Sequence, residues 1–166
     1  MFYRHAQRRL PQHNYAGTGH YFVTINAYHR CHLFSRIVKG KVELTDIGEE
    51  IRRSWEYIPT SAPCASVDEY VIMPDHFHGI LHLNNPEEPL RKDPEFTCAP
   101  RSLGSIMSIF KMAVTHHVKG RHPGQHIWQR RYHDRVIRNE EELERIRTYI
   151  RNNPVRWAAT HGPHLP

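Results

Sequence analysis

Cysteine is scarce in this 166-residue chain, and the three present, Cys31, Cys64 and Cys98, are odd in number and far apart. No C-x-x-C occurs, so neither a disulfide framework nor a thiolate zinc site is indicated, and a reducing cytoplasmic location fits. Long apolar runs are missing too. Nothing approaches the roughly 20 consecutive residues that span a bilayer, and the opening "MFYRHAQRRL" lacks the apolar stretch of a secretory signal. A soluble protein with no membrane partner is therefore expected. Acidic residues are the third shortage: 17 Asp and Glu stand against 23 Lys and Arg, a formal charge of +6, beside 15 histidines. That balance points to a polyanionic partner, because Lys and Arg gain affinity for phosphates by releasing counterions. There is no internal repeat. The length and 39% hydrophobic content suit one globular domain over 1–166 with a modest core.

The periodicity gives an order of elements. In "GHYFVTINAYHR", Tyr21, Val23, Ile25 and Ala27 alternate with Phe22, Thr24 and Asn26, which predicts a half-buried strand with a mixed polar face. Leu44, Ile47, Ile51, Trp55 and Ile58 recur at three- and four-residue spacing behind Thr45, an N-cap, and predict an amphipathic helix. "YVIMPDHFHGILHL", from Tyr70 to Leu83, reads as two strands joined at Pro74-Asp75, the first beginning near Ser66. Residues 84–101 contain Pro86, Pro89, Pro94 and Pro100 and cannot sustain a helix or a central strand, so a loop is expected. Ser102 caps a helix with Leu103, Ile106, Phe110 and Val114 as its stripe, ending near Gly120.

The alternation of Trp128, Arg130, Tyr132, Asp134 and Val136 is compatible with a fourth strand. Asn139 followed by three glutamates starts a third helix running to about Asn152, with Glu142 three positions after the cap and acids at the positive end of the dipole. The sum is α+β, a ferredoxin-like β-α-β-β-α-β sheet with two helices on one face, the other face open, and an additional C-terminal helix. Residues 1–18, with Arg4, Arg8 and Arg9, form a basic arm that is flexible or reaches an anionic partner.

The histidines of the hairpin raise the chemical question. Side chains alternate along a strand, so Phe77, Gly79, Leu81 and Leu83 share one side and His76, His78, Ile80 and His82 the other. With the first set on the helices, His76 and His78 fall on the open face about 6–7 Å apart, a spacing at which two imidazoles share one divalent ion. The bland alternative is a pair of ordinary exposed or hydrogen-bonded histidines.

"MPDHFHGIL", Met73 to Leu81, resembles the histidine–hydrophobic–histidine (HUH) signature of the single-tyrosine transposases. "IWQRRYHDRVIRNEEELERIRTYIRNNPVRW", Ile127 to Trp157, resembles the C-terminal segment of the REP-associated tyrosine transposases. The similarity runs through most of the chain from the first strand onward. It implies a Mg²⁺- or Mn²⁺-dependent enzyme, monomer or homodimer, that nicks and rejoins single-stranded DNA at hairpin or repeat sequences. The reaction passes through a covalent 5′-phosphotyrosine, and the C-terminal helix of a ferredoxin-like fold carries the tyrosine. On this resemblance His76 and His78 match the metal ligands and Tyr149 the nucleophile. In insertion-sequence relatives a Gln one helical turn after the tyrosine completes the metal site; here that position is Asn153, one methylene shorter and followed by Pro154, which disfavours α conformation before it. Asp134 and His82 are alternative third ligands.

Tyr149 flanks the buried stripe of Leu143, Ile146 and Ile150, where an amphipathic ring is also at home for packing alone. Tyr132 is the rival nucleophile. "WQRRYHDR" interleaves aromatic and basic side chains, Trp128, Arg130, Arg131 and Tyr132, in the manner of a single-stranded nucleic-acid interface, and equally of a protected edge strand. Arg145, Arg147 and Arg151 share the helix with Tyr149 and are available to DNA. Two other functions use the same residues: a non-catalytic nucleic-acid-binding module on the open sheet face, and a metal-dependent phosphodiesterase that activates water and forms no protein adduct.

Overall fold

A computed structural model describes residues 13–85 and 102–161. The basic arm falls mostly outside these residues, and so does nearly all of the expected proline-rich loop. Among the described residues no helix is long and apolar enough to cross a membrane.

The element order is β1 (Gly19–Ala27), β2 (Ser35–Val38), β3 (Lys41–Leu44), α1 (Asp46–Glu56), α2 (Ile58–Ser61), β4 (Ala65–Ile72), β5 (His76–Leu83), α3 (Leu103–Lys119), β6 (Trp128–Ile137) and α4 (Glu140–His161). Strands β4, β5, β1 and β6 form one sheet in that spatial order, with every neighbouring pair antiparallel. The first sheet strand in the chain is thus central and the last is an edge, the ferredoxin-like arrangement.

Local signals account for most of these elements. Thr45 accepts a hydrogen bond from Gly48 N at 3.1 Å and caps α1, and Ser102 does the same from Ser105 N at 3.2 Å for α3. Asn139 accepts from Glu142 N at 2.8 Å, while the Glu142 carboxylate reaches back to Arg138 N at 3.0 Å, a reciprocal cap that starts α4. On the inner face of α1 and α3, Ile51, Trp55, Leu103 and Phe110 pack with Tyr21, Val23, Ile25, Phe77 and Leu81 of the sheet. Trp55 meets Phe77 at 4.7 Å between ring centroids and Phe110 at 5.4 Å. A Cβ on Gly79 would lie 2.7 Å from Trp55, so this strand position must be glycine for the helix to close on it.

Three features depart from the sequence reading. The second sheet face is not open: α4 lies across it, with Leu143, Ile146, Ile150 and Trp157 packed on Val71, Met73, Ile80 and Ile137. A β2–β3 hairpin, unforeseen in the sequence, turns at Lys39 (φ 52°) and Gly40 (φ 74°) and adds Ile37 and Val42 to the same cluster. The third helix does not stop at about Asn152; it continues through Pro154 to His161. Proline inside a helix removes a hydrogen bond and typically costs about 3 kcal/mol. Here Pro154 is buried, and Trp157 and Ala158 pack into the cluster that the hairpin completes, so burial offsets that loss.

Candidate active site

The candidate site lies between β5, β1 and the middle of α4. Strand alternation sends His76 and His78 to the α4 side, while Phe77 between them enters the opposite core. The expected register therefore holds, but burial does not: His76 is 8% and His78 6% exposed, because α4 roofs them. Their ring centroids are 4.6 Å apart. Helical periodicity puts Tyr149 over this pair, its hydroxyl 3.5 Å from His78 Nε2 and its ring edge-on to Phe22 at 6.2 Å. Tyr149 as a residue is 37% exposed, whereas the two imidazoles it overlies are buried.

Each imidazole is held at Nδ1. His76 Nδ1 donates to Asp75 Oδ1 at 2.5 Å, and His78 Nδ1 lies 2.8 Å from Thr24 Oγ1. Burial alone would raise the Asp75 pKa, yet the hydrogen bond from His76 and the charges of His76, Arg30 and His32 hold that carboxyl below its ordinary value. An ionised Asp75 accepts only, so the His76 Nδ1 that faces it carries a proton, and Nε2 is the ring nitrogen left to face elsewhere. Burial, followed by the neighbouring His76 and Arg30, pushes the His78 pKa well below its ordinary value and keeps that ring neutral. Two imidazoles anchored from behind at Nδ1 leave their Nε2 atoms as a pair of candidate donors to a divalent ion.

Asn153 is buried on the same helix face, one turn beyond Tyr149 and one turn before Trp157, whose ring stands 5.9 Å from that of His76. The continuation of α4 past Pro154 keeps Asn153 on this face, where an ended helix would have released it. Among the described residues no three His, Cys, Asp or Glu side chains gather as a metal cluster. The two alternative third ligands lie elsewhere. His82 stacks on His20 at 4.2 Å, and Asp134 pairs in register with Val23, on the α1–α3 side.

Tyr132 pairs with Ile25 and packs, like Trp128, against the α1–α3 core. The rival tyrosine is therefore on the opposite face from the histidines, and Trp128 Nε1 donates to Lys111 O at 3.1 Å. Arg130 and Arg131 are exposed on β6, near the irregular pairing between Ile25 and Ala27. Arg145 points outward beside Glu142, whereas Arg151 pairs with Glu69 at 3.2 Å and Glu144 at 2.9 Å. Arg147 clamps Asp68 at 2.7 Å and so fastens α4 to β4. Sequence reasoning overlooked Thr24, Asp75, Arg30 and Trp157 as parts of this neighbourhood. The one signal for Asp75 was its place directly before His76 in the turn.

The fold is shared with a solved structure of a REP-associated tyrosine transposase bound to a REP hairpin. The TM-score is 0.63 and the identity 24%, over 93% of this chain and 75% of that one. An uncharacterized protein of Haemophilus influenzae is 34% identical over 157 residues, 90% of this chain and 87% of the relative. The chain belongs to one family with that protein. No protein-family model matches the sequence.

Proposed function

We propose that the protein is a metal-dependent enzyme that nicks and rejoins single-stranded DNA at hairpin or repeat sequences, with Tyr149 as nucleophile. The observation that carries the reading is the approach of the Tyr149 hydroxyl to His78 Nε2, 3.5 Å, above two imidazoles whose Nδ1 atoms are both engaged from behind. The hairpin bound by the transposase of like fold supports the choice of DNA. His76 and His78, with Asn153 as third donor, would hold Mg²⁺ or Mn²⁺. When bound, such an ion would polarise the scissile phosphate and offset the charge that develops on it.

The chain's own groups do the rest. Tyr149 Oη attacks phosphorus, the Oη–P bond forms, the P–O3′ bond breaks, and the 3′-hydroxyl strand leaves. The phenol proton passes to water and the leaving 3′-oxygen takes one from water, so the proton count is unchanged. The phosphotyrosyl diester conserves the bond, so attack by a 3′-hydroxyl rejoins the strand. Phe22 and His78 brace the tyrosine ring, and the Arg147–Asp68 pair keeps α4, with its nucleophile, seated on the sheet. Arg130, Arg131 and Arg145 are exposed and suited to phosphates; Arg151 can join them only by giving up its carboxylate partners.

The test is incubation with labelled single-stranded hairpins and Mg²⁺ or Mn²⁺, followed by denaturing electrophoresis. The expected result is a covalent protein–DNA adduct and a free 3′-hydroxyl strand, both absent with chelator and in Tyr149→Phe. Cleavage by Tyr149→Phe without adduct would make water the nucleophile. Binding by all forms, with no cleavage and indifference to chelator, would make the protein a binding module.

A further inference from the structure

Two tight turns in this protein share a pair of positive-φ residues and differ in their side chains. Both connect their flanks through two consecutive residues of positive φ, the geometry of a type I′ turn. In the β2–β3 hairpin these are Lys39 and Gly40, the second being the residue that adopts this conformation without cost. After β1 they are His29 (φ 50°) and Arg30 (φ 57°), closed by Cys31 N donating to Tyr28 O at 3.1 Å. Neither has glycine's freedom, so the surroundings must hold the turn. They do: Ala27 N donates to Asp75 O at 2.9 Å and Tyr28 N to Ile127 O at 3.0 Å.

What the strained turn presents is a guanidinium fork. Arg30 Nη1 donates to Asn26 Oδ1 at 2.5 Å, and Arg30 Nε lies 2.9 Å from Asp75 Oδ2. Asn26 is steadied in turn by donating to Gln129 Oε1 at 3.0 Å. The Asp75 side chain is only 7% exposed, and its second oxygen receives His76 Nδ1. Both carboxylate oxygens are thus taken, one by the arginine and one by the imidazole.

We propose that Arg30 is a positioning residue: by gripping Asp75 from a strained turn braced on Asn26, it fixes the ring of His76 with Nε2 directed to a divalent ion. The inference rests on the reading of His76 and His78 as metal ligands, and it adds a residue outside both sequence motifs. Arginine is required because a fork engages two acceptors in fixed directions, which a lysine ammonium cannot reproduce.

The experiment is calorimetric titration of Mn²⁺ into the DNA-free protein, with thermal unfolding to show that each variant is folded. Loss of an outer partner of a metal-binding histidine typically weakens affinity about 10–100-fold; Arg30 acts one step further out, through Asp75, so Arg30→Gln is expected at the lower end of that range, about 10-fold. Arg30→Lys, which keeps the charge and stands in if the glutamine variant fails to fold, is expected to remain several-fold weaker than the parent. Parental affinity in either folded variant overturns the proposal while leaving the metal site intact. A parent protein that binds no Mn²⁺ overturns both this inference and the metal reading beneath it.

Discussion

The two faces of the four-stranded sheet are built from alternate residues of the same strands, and both are covered by helices, yet they differ in what burial demands. On the α1–α3 side, Val23, Ile25, Phe77, Leu81 and Leu83 are all completely buried and need only close packing. On the α4 side, Met73, Ile80 and Ile137 pack with Ile146 and Ile150, but His76, His78, Thr24 and Asn26 share the layer, and each engages another polar group. A buried polar group left without a partner costs about 1–3 kcal/mol. The second face therefore carries a hydrogen-bonded arrangement as well as a core. One face holds the fold, and the other uses a smaller apolar cluster to bring a helix, with its tyrosine, onto a pair of imidazoles.

The sharpest way to break this division is to exchange tyrosines across it. Tyr149→Phe is expected to lose all adduct formation with an unchanged melting temperature, whereas Tyr132→Phe, on the packing face, retains cleavage. Adduct on Tyr132 by peptide mapping would reverse the assignment of the faces. Next in size is a pair of truncations at neighbouring strand positions. Phe77→Ala should cost about 3–5 kcal/mol in denaturant unfolding, as deletion of a fully buried ring does. His78→Ala should cost less, about 1–3 kcal/mol for the polar groups it leaves unpaired, while abolishing divalent-dependent cleavage. Equal stability costs would mean that the α4 side is packing like the other.

Acid should separate the faces more gently. His78, chiefly through burial, and His20, through burial and then His82, both have pKa values below the ordinary 6.5. The unfolded chain then binds more protons than the folded one just below that value, so their stabilisation is present at neutral pH and lost as pH falls through 6.5. The melting temperature of metal-free protein should drop between pH 7.5 and 5, and His78→Asn should flatten the drop. A profile identical in parent and variant would remove His78 from the cause. The smallest effect is expected at the edge strand, where Arg130 and Arg131 are replaced together by Gln. The log–log salt dependence of single-stranded DNA affinity should become shallower by about 0.7 for each phosphate that is no longer neutralised. An unchanged slope would put the phosphate-binding groups elsewhere.

Much of this was legible because it is local. Thr45, Ser102 and Asn139 announced three helix starts, and the alternation of Phe77 with His76 and His78 carried the correct strand register. Other features were hidden for a physical reason. A four-residue strand such as Ser35–Val38 has too few positions to show a period, and Pro154 signalled a helix end that distant packing by Trp157 overrode. The face occupied by Tyr132 followed from strand pairing, which brings it beside Ile25, far away in the chain.

By itself the sequence determined which side chains share a strand face or a helix face, because periods of 2 and 3.6 residues are properties of the backbone alone. It thereby determined that His76 and His78 point together and that Tyr149 lies one turn from Asn153. Only the tertiary structure decided that α4 crosses the histidine face, burying what alternation alone left open, and that Thr24, Asp75 and Arg30 stand behind the imidazoles. Those interactions join segments far apart in the chain, 71 residues in the case of Tyr149 and His78. They form because a helix with a buried stripe must cover the apolar cluster of Met73, Ile80 and Ile137, and no local pattern records where that cluster lies.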